Sequence, residues 1–228
     1  MMTALFWLIC TVVVYAAAKW IYRKCAKLYL TPLLITPAVV IAIIECSGVS
    51  FEAYNEGAGW LTRMVEPATI AMGVTLYKHF DILKKNAYAI IASVSCGALA
   101  AIVTSAGLAR LFGLNAEIMD SLAPRSATTP IAVTISRLIG GVPTITAVAT
   151  MITGLCGMIL GPLVVRWLRI RSPIARGALF GTSAHSAGIS KALEYDSVTG
   201  SAAGIAMMFT AFVTLCAAPW LMAWFQQL

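Results

Sequence analysis

The chain has 228 residues, of which 60% are hydrophobic and only 11% are charged, and its mean hydropathy is +0.88. Soluble domains average about 25% charged residues, so this composition excludes an ordinary water-soluble domain and indicates an integral membrane protein. The net charge is +7. The lysines and arginines lie between apolar runs, a pattern typical of membrane orientation and not of nucleic-acid binding.

Six apolar segments approach the length that a membrane-spanning helix needs, which is about 20 residues. The first covers residues 3–22, and because no basic residue precedes it we expect a retained span and not a cleaved signal peptide. An acidic loop around Glu52 and Glu56 is predicted between the second and third spans. The remaining segments are residues 30–47, 60–79, 86–109, 143–165 and 199–225.

Two further segments, residues 114–142 and 177–197, are too polar to form a clean apolar span. The first contains residues 122–132, where one arginine, three hydroxyl side chains and two prolines follow each other closely. A bilayer offers these groups no water, and each backbone group freed by a proline needs another partner. Such a segment predicts a site that handles something polar.

The positive-inside rule separates two topologies. If both polar segments cross fully, the chain has eight spans with two broken helices, and the arginines at 166–176 face the side opposite to Lys24 and Lys84. If both are re-entrant, about six full spans remain, all three basic clusters face the cytoplasm, and both termini lie outside. We prefer the second topology, an all-α membrane protein forming a single polytopic domain over residues 1–228. In either topology, two discontinuous segments would point their backbone ends at a substrate, as in many transporters.

A weak internal repeat relates residues 66–78 to residues 125–137, which match without gaps and are identical at four positions. If the repeat is real and inverted, it would pair two broken elements across the membrane. A chance match in so biased a composition is the alternative.

Arg125 and the hydroxyls of Ser126, Thr128 and Thr129 resemble an anion receptor. A guanidinium group presents a planar fork of donors that matches a carboxylate, and free N–H groups at a helix start add further donors. Pro130 suits the first turn of the helix that follows. Alternatively, Arg125 extends to the membrane interface or pairs with an acidic residue such as Glu66.

Residues 181–188 form a second candidate site. Its flanking glycines, Gly181 and Gly188, allow helix unwinding or close helix packing. His185 titrates near neutral pH and could couple proton movement to transport, with Ser183 as a further ligand. Alternatively, the histidine only donates to a neighbouring carbonyl group and stabilises packing.

Arg63 and Glu66 lie three residues apart and would share one helical face. They either neutralise each other locally, or Glu66 acts as a coupling carboxylate. Pro67 and Pro124 are predicted helix-breaking positions. The small residues Gly154, Gly157 and Gly161 predict close helix packing, since the last two have G-x-x-x-G spacing.

Enzyme and cofactor signatures are missing from the sequence. No phosphate-binding glycine loop precedes a lysine and a hydroxyl residue, and Ser183 with His185 lacks the nucleophile-elbow pattern. The six cysteines are scattered without metal-ligand spacing. We therefore expect no enzyme activity, no metal and no cofactor.

The chain resembles the LrgB/CidB family in motifs that cover nearly its whole length and keep their order and spacing. It departs from the family pattern at Glu66, at Thr75, and at Ile189 and Ser190. The residues that carry the resemblance are 67–69, 76–77, 124–132, 140–141, 153–154, 161–162, 175–177, 181–182, 185, 188 and 191–192.

This resemblance implies a multi-pass protein of the bacterial inner (plasma) membrane that works with a smaller LrgA/CidA-type membrane protein. Family members are described as holin-like or antiholin-like modulators of murein hydrolase activity and autolysis. A plastid relative translocates glycolate and glycerate, and some bacterial members are linked to pyruvate uptake. Two hypotheses follow: a secondary transporter or facilitator of small monocarboxylates, or a modulator of autolysis. We expect membrane lipid and a second copy of the chain as further partners, and no nucleic acid.

Overall fold

The computed structural model describes residues 2–25, 30–64, 67, 74, 77 and 80–227. Within these ranges the chain is helical and contains no strand, as predicted for an all-α protein. The chain divides into two compact units, Met1–Ile70 and Ala71–Leu228, which are described separately below.

The first unit contains α1 (Met2–Lys24), α2 (Pro32–Ser47) and α3 (Phe51–Arg63), and α1 packs against both other helices. The buried Trp7 ring packs edge-on against Tyr54 of α3, with ring centroids 5.8 Å apart. One turn further along α1, the Thr11 hydroxyl lies 3.2 Å from the Tyr54 hydroxyl. An aromatic contact and one hydrogen bond thus tie α3 to α1.

The predicted acidic loop around Glu52 and Glu56 is wrong, because these residues belong to α3. The Ser50 hydroxyl caps the helix by accepting from the Ala53 N–H at 3.4 Å, and Glu52 places its negative charge in the first turn. Mean hydropathy does not reveal such a helix, because the average combines the polar residues of one face with the apolar residues of the other. Most of the predicted third span, residues 60–79, lies outside the described residues, as does most of the first copy of the predicted repeat.

The second unit places its helices around two interrupted segments. Its elements are α4 (Phe80–Leu111), α5 (Ala116–Leu122), a 3₁₀ turn (Ala123–Ser126), α6 (Thr129–Ile139), α7 (Pro143–Trp167), α8 (Pro173–Leu193) and α9 (Ser197–Gln227). Helix α9 packs most extensively against α8 and also against α4 and α6, while α8 packs against α7 as well.

Both polar segments are discontinuous, as predicted. Residues 114–142 form the short helices α5 and α6, separated by the 3₁₀ turn and by extended backbone at Ala127 and Thr128. Residues 177–197 belong mainly to α8, whose helical geometry breaks at His185, where φ is 50° and ψ is −133°. Pro130 lies in the first turn of α6, where a missing N–H costs no hydrogen bond.

Four described helices are long and apolar enough to cross a membrane: Leu5–Lys24, Lys84–Leu111, Pro143–Trp167 and Ser197–Gln227. A shorter apolar helix, Leu34–Ser47, occupies the second predicted span. The all-helical architecture is therefore that of a membrane protein, and the preference for six crossings over eight stays a prediction.

Small residues allow α8 and α9 to pack closely. A Cβ atom added at Gly177 or Gly181 would collide with Ala202 or with the carbonyl oxygen of Ala203 on α9. Buried hydroxyls on α9 donate to carbonyl groups one turn earlier, for example Thr210 to Ala206 at 2.8 Å. Close backbone approach through small residues is the usual basis of helix association in membranes, where no hydrophobic effect drives helices together.

We expect Gly181→Ala to lower the free energy of unfolding by about 1–3 kcal/mol, because its methyl group would overlap the α9 backbone. Gly107→Ala on α4 is the matched control, since its methyl group would meet nothing within 4 Å and would add helix propensity. Thermal unfolding of the purified variants in detergent measures both effects. Equal stabilities of the two variants would contradict the packing argument.

Candidate functional site

Arg125 lies in the 3₁₀ turn between α5 and α6, and neutral hydroxyl groups from two other helices hold its side chain. Its Nε donates to the Ser105 hydroxyl of α4 at 2.6 Å, and its Nη1 donates to the Thr153 hydroxyl of α7 at 3.2 Å. No hydrogen bond among the described residues uses its Nη2. Within the same residues, no carboxylate lies at ion-pair distance from this guanidinium group. Its positive charge is thus oriented but not neutralised.

Two clefts meet at Arg125. The larger, of about 630 Å³, lies between α4 and α8, and Arg125, Ser126 and Thr153 form part of its wall. The smaller, of about 390 Å³, lies between α7 and α8. Arg125, Thr153, Leu179 and Ser183 line both clefts, so one layer of side chains separates them. Arg125 is the charged residue common to both linings.

One face of α4 leaves room for the larger cleft because its side chains are small. These residues recur every three or four positions, which places them on the same helical face: Ala89, Ser93, Gly97, Ala101 and Thr104. A Cβ atom at Gly97 would lie 3.0 Å from Cγ2 of Thr182, so α4 and α8 approach each other closely at this glycine.

His185 joins the break in α8 to the 3₁₀ turn. Its ring is 5% exposed, and its Nε2 lies 3.1 Å from the carbonyl oxygen of Arg125. A carbonyl group only accepts, so Nε2 carries the proton and donates. Nδ1 is buried and has no hydrogen-bond partner in the described part of the chain. The histidine therefore contacts the backbone of the turn, whereas the guanidinium group of Arg125 extends to the clefts.

The other predicted ligands divide into two groups. Ser126 lines the larger cleft, and Ser183 lines both while its hydroxyl donates to the Leu179 carbonyl at 2.7 Å. Thr128 precedes α6 and its buried hydroxyl has no partner among the described residues, while Thr129 is exposed. Neither threonine lines a cleft. The structure thus brings Arg125, Ser126 and Ser183 together, and places Thr128, Thr129 and His185 outside the cleft walls.

The predicted packing glycines of α7 face the broken part of α8. A Cβ atom at Gly157 would lie 2.6 Å from the Ser183 carbonyl oxygen, and one at Gly161 would collide with the Phe180 ring. At Gly154 the nearest atom, the Ala184 carbonyl oxygen, would be 3.5 Å away, an ordinary contact. Within α8, the break brings Gly188 against the Phe180 carbonyl group, where no side chain would fit.

Three predicted residues lie near the end of the first unit. The Arg63 guanidinium group lies 5.2 Å from the ring centroid of Trp60, and both Arg63 and Pro67 are exposed. Glu66 lies outside the described residues. Its pairing with Arg63 or Arg125 and its coupling role therefore stay predictions.

Pro124 is buried in the first turn of the 3₁₀ helix, where no helical hydrogen bond needs its missing N–H.

Sequence reasoning missed Asp120, which is 3% exposed on α5. Its Oδ2 accepts from the Gln226 side chain at 2.8 Å, and its Oδ1 has no partner among the described residues. The adjacent Ser121 belongs to a buried polar network in which the Thr146 hydroxyl lies 2.8 Å from the Ser121 carbonyl oxygen. The available signal was the carboxyl group of Asp120 within the polar segment 114–142, since such a group is costly to bury without partners.

Comparison with known proteins gives concordant matches over nearly the whole chain. The profile of the family described as LrgB-like matches residues 11–224. A Bacillus subtilis (strain 168) protein, "Uncharacterized protein YwbG", is 47% identical over 213 residues, covering 93% of this chain and 95% of the relative. "Antiholin-like protein LrgB" of Bacillus mycoides (strain KBAB4) is 32% identical over 222 residues, covering 97% and 96%. No solved structure gives a significant match.

We expect His185→Gly to be more stable than His185→Ala by about 1–3 kcal/mol. Both variants lose the hydrogen bond to the Arg125 carbonyl, but only glycine adopts the positive φ of this position without strain. Thermal unfolding of the two purified variants measures the difference. An alanine variant as stable as the glycine variant would show that the backbone at the break is not strained.

Proposed function

This chain belongs to the LrgB-like family, and we propose that it is a secondary transporter or facilitator of small monocarboxylates of the pyruvate and glycolate type. The observation that carries the proposal is Arg125, whose guanidinium group is oriented by two hydroxyls, has no acidic partner among the described residues, and borders two clefts. Such a group is arranged to receive an anion from outside the protein.

The chemistry of the clefts favours a small acid with one carboxylate. Two nitrogens of a guanidinium group can donate to the two oxygens of a carboxylate in parallel. The Thr153 hydroxyl lies on the same walls and accepts from Arg125, so its proton is left to donate to a keto or hydroxyl oxygen on the neighbouring carbon. The Ser183 hydroxyl, which donates to the Leu179 carbonyl, can accept from a substrate hydroxyl. Arg125 is the sole charged residue in the described linings of both clefts, so a second carboxylate would find no cation there.

The two clefts also suggest how the substrate passes. Leu179 and Ser183 of α8, with Arg125 and Thr153, form the barrier between them. A small displacement of α8 around these residues would transfer access to Arg125 from one cleft to the other. Broken helices around a central site are the usual means by which secondary transporters alternate access.

The cellular setting forms part of the proposal. We place the protein in the bacterial inner membrane as a multi-pass protein, in contact with lipid, together with an LrgA/CidA-type partner and a second copy of itself. The four long apolar helices and the family support a membrane location. The basic residues in the last turn of α1 and around the end of α7 support cytoplasmic ends for those helices.

A holin-like or antiholin-like modulator of murein hydrolase activity and autolysis is the second candidate. The observation that favours it is the printed name of relatives that are 32% identical over most of the chain, "Antiholin-like protein LrgB". A lesion-forming protein needs no oriented arginine in its interior. A transporter, in contrast, can influence lysis indirectly by changing the balance of metabolites and protons.

Uptake by proteoliposomes distinguishes the two candidates. We expect saturable uptake of labelled pyruvate or glycolate, and Arg125→Gln to reduce it about 100-fold, equivalent to about 3 kcal/mol for a charge-assisted interaction. Arg125→Lys keeps the charge but loses the planar fork, and should recover only part of the activity. Arg137→Gln is the matched control, since Arg137 is exposed on α6.

The same proteoliposomes, prepared with and without the small LrgA/CidA-type partner, can also give the result that contradicts transport. Non-selective leakage of a trapped dye that is equal in the wild type and in Arg125→Gln would contradict transport and support the second candidate.

The hydroxyls that hold Arg125 provide a separate prediction. Ser105→Ala and Thr153→Val each remove one acceptor of the guanidinium group, and we expect each to weaken the apparent affinity for the monocarboxylate about tenfold. Thr134→Val on α6 is the control, because the exposed Thr134 lines neither cleft and its hydroxyl donates to the Pro130 carbonyl of its own helix at 2.9 Å. Concentration-dependent uptake measures the change. An unchanged affinity in both variants would mean that these hydroxyls do not orient the arginine for binding.

A further inference from the structure

A second concentration of positive charge lies where α7 ends and α8 begins. It forms a pocket of about 290 Å³, which we call the arginine pocket. Unlike the two clefts at Arg125, its wall is dominated by guanidinium groups. Its lining residues are Val165, Arg166, Arg169, Ile170, Arg171, Arg176 and Tyr195.

Arg176 forms the fixed wall of the arginine pocket. Its Nε donates to the Ile170 carbonyl at 2.8 Å, and its guanidinium group lies 5.2 Å from the ring centroid of Tyr195. The side chain is half-buried, whereas Arg166, Arg169 and Arg171 are exposed. One guanidinium group is therefore held in place by the protein while three others remain accessible around it.

Arg169 occupies a backbone position that favours glycine. The end of α7 closes with hydrogen bonds from the Ile170 N–H to the Val165 carbonyl at 2.9 Å and from the Arg169 N–H to the Arg166 carbonyl at 3.2 Å. In this helix ending the residue at the position of Arg169 is commonly glycine, and Arg169 has a φ of 51°. An arginine at a position where the backbone favours glycine indicates a function for the arginine side chain.

In the described part of the chain, no acidic group forms an ion pair with an arginine of this pocket. The single ion pair among the described residues joins Lys191 to Glu194. Asp196 lies close enough to interact with Arg176, but its carboxylate already accepts from the N–H and the hydroxyl of Thr199, each at 2.7 Å. These hydrogen bonds, assisted by the charge of Arg176, hold the pKa of Asp196 below its usual range. The pocket therefore keeps a net positive charge.

The position of the arginine pocket in the fold indicates which kind of anion would bind there. Trp167, the last residue of the apolar helix α7, is 83% exposed. Tryptophan is enriched at the level of lipid headgroups, and basic pockets between helices bind anionic headgroups at that level. The four arginines of the pocket lie within nine residues of this tryptophan along the chain, which favours a position at the level of the lipid phosphates.

We propose that the arginine pocket binds the phosphodiester headgroup of an anionic membrane lipid. Guanidinium groups match phosphate oxygens as they match carboxylates, by paired N–H donors. Ile170 lines both this pocket and the larger cleft at Arg125, so a bound headgroup lies beside the mouth of that cleft. The proposal stands independently of the proposed transport, since it concerns lipid binding alone.

Native mass spectrometry of the purified full chain tests the proposal. The probes are diphosphatidylglycerol, phosphatidylglycerol and zwitterionic phosphatidylcholine added in detergent. We expect the two anionic lipids to bind more tightly than phosphatidylcholine, and the triple variant R166Q/R169Q/R171Q to lose about 100-fold in affinity for diphosphatidylglycerol. The control K19Q/R23Q/K24Q removes the same number of charges from the exposed end of α1 and should change this affinity less than about twofold.

Arg169→Gly separates binding from folding. Glycine suits the positive φ at this position, so this variant should keep or raise the midpoint of thermal unfolding while it weakens lipid binding. Equal loss of lipid in the triple variant and its control would overturn the proposal, because it would reflect general charge attraction. Binding of pyrophosphate in lipid-free detergent, as tight as that of diphosphatidylglycerol, would overturn the assignment to lipid in favour of a soluble phosphate.

Discussion

The hydrogen bond from the His185 ring to the Arg125 carbonyl joins the interruptions of the two polar segments, the break in α8 and the 3₁₀ turn between α5 and α6. In an apolar environment an interrupted helix leaves backbone groups without partners, and these groups must be satisfied by other parts of the protein. The break in α8 supplies a ring N–H, and the 3₁₀ turn supplies a carbonyl oxygen. With the turn fixed in this way, the Arg125 side chain extends to Ser105 and Thr153 on two different helices. The clefts on either side depend on that arrangement.

The positions of the breaks were predictable because their causes are local. Prolines and hydroxyls around residues 124–130 and glycines around residues 181–188 disfavour a continuous helix whatever surrounds them. The partners of Arg125 were not predictable, since Ser105 lies 20 residues before it and Thr153 lies 28 residues after it. Only the packing of α4 and α7 brings these hydroxyls to the guanidinium group.

Other differences between expectation and structure have equally specific reasons. Helix α3 looked like a loop because its acidic residues lower the average hydropathy, although they lie on one face of a capped helix. Thr129 was grouped with Arg125 by sequence proximity, yet α6 begins at this residue and leaves it exposed. The glycines of residues 181–188 predict a break in this segment but not the residue that takes the positive φ, which is His185 and not a glycine.

Because the surroundings of Arg125 are neutral, an anion bound there would contribute to the free energy of folding. A cation held by hydroxyl groups, without an acidic neighbour among the described residues, is stabilised less than one with a counter-ion. Any anion that binds the folded protein, and not the unfolded chain, shifts the folding equilibrium by mass action. If Arg125 receives the proposed monocarboxylate, the protein would become more resistant to heat as the concentration of that anion rises, so its stability would depend on the supply of the anion.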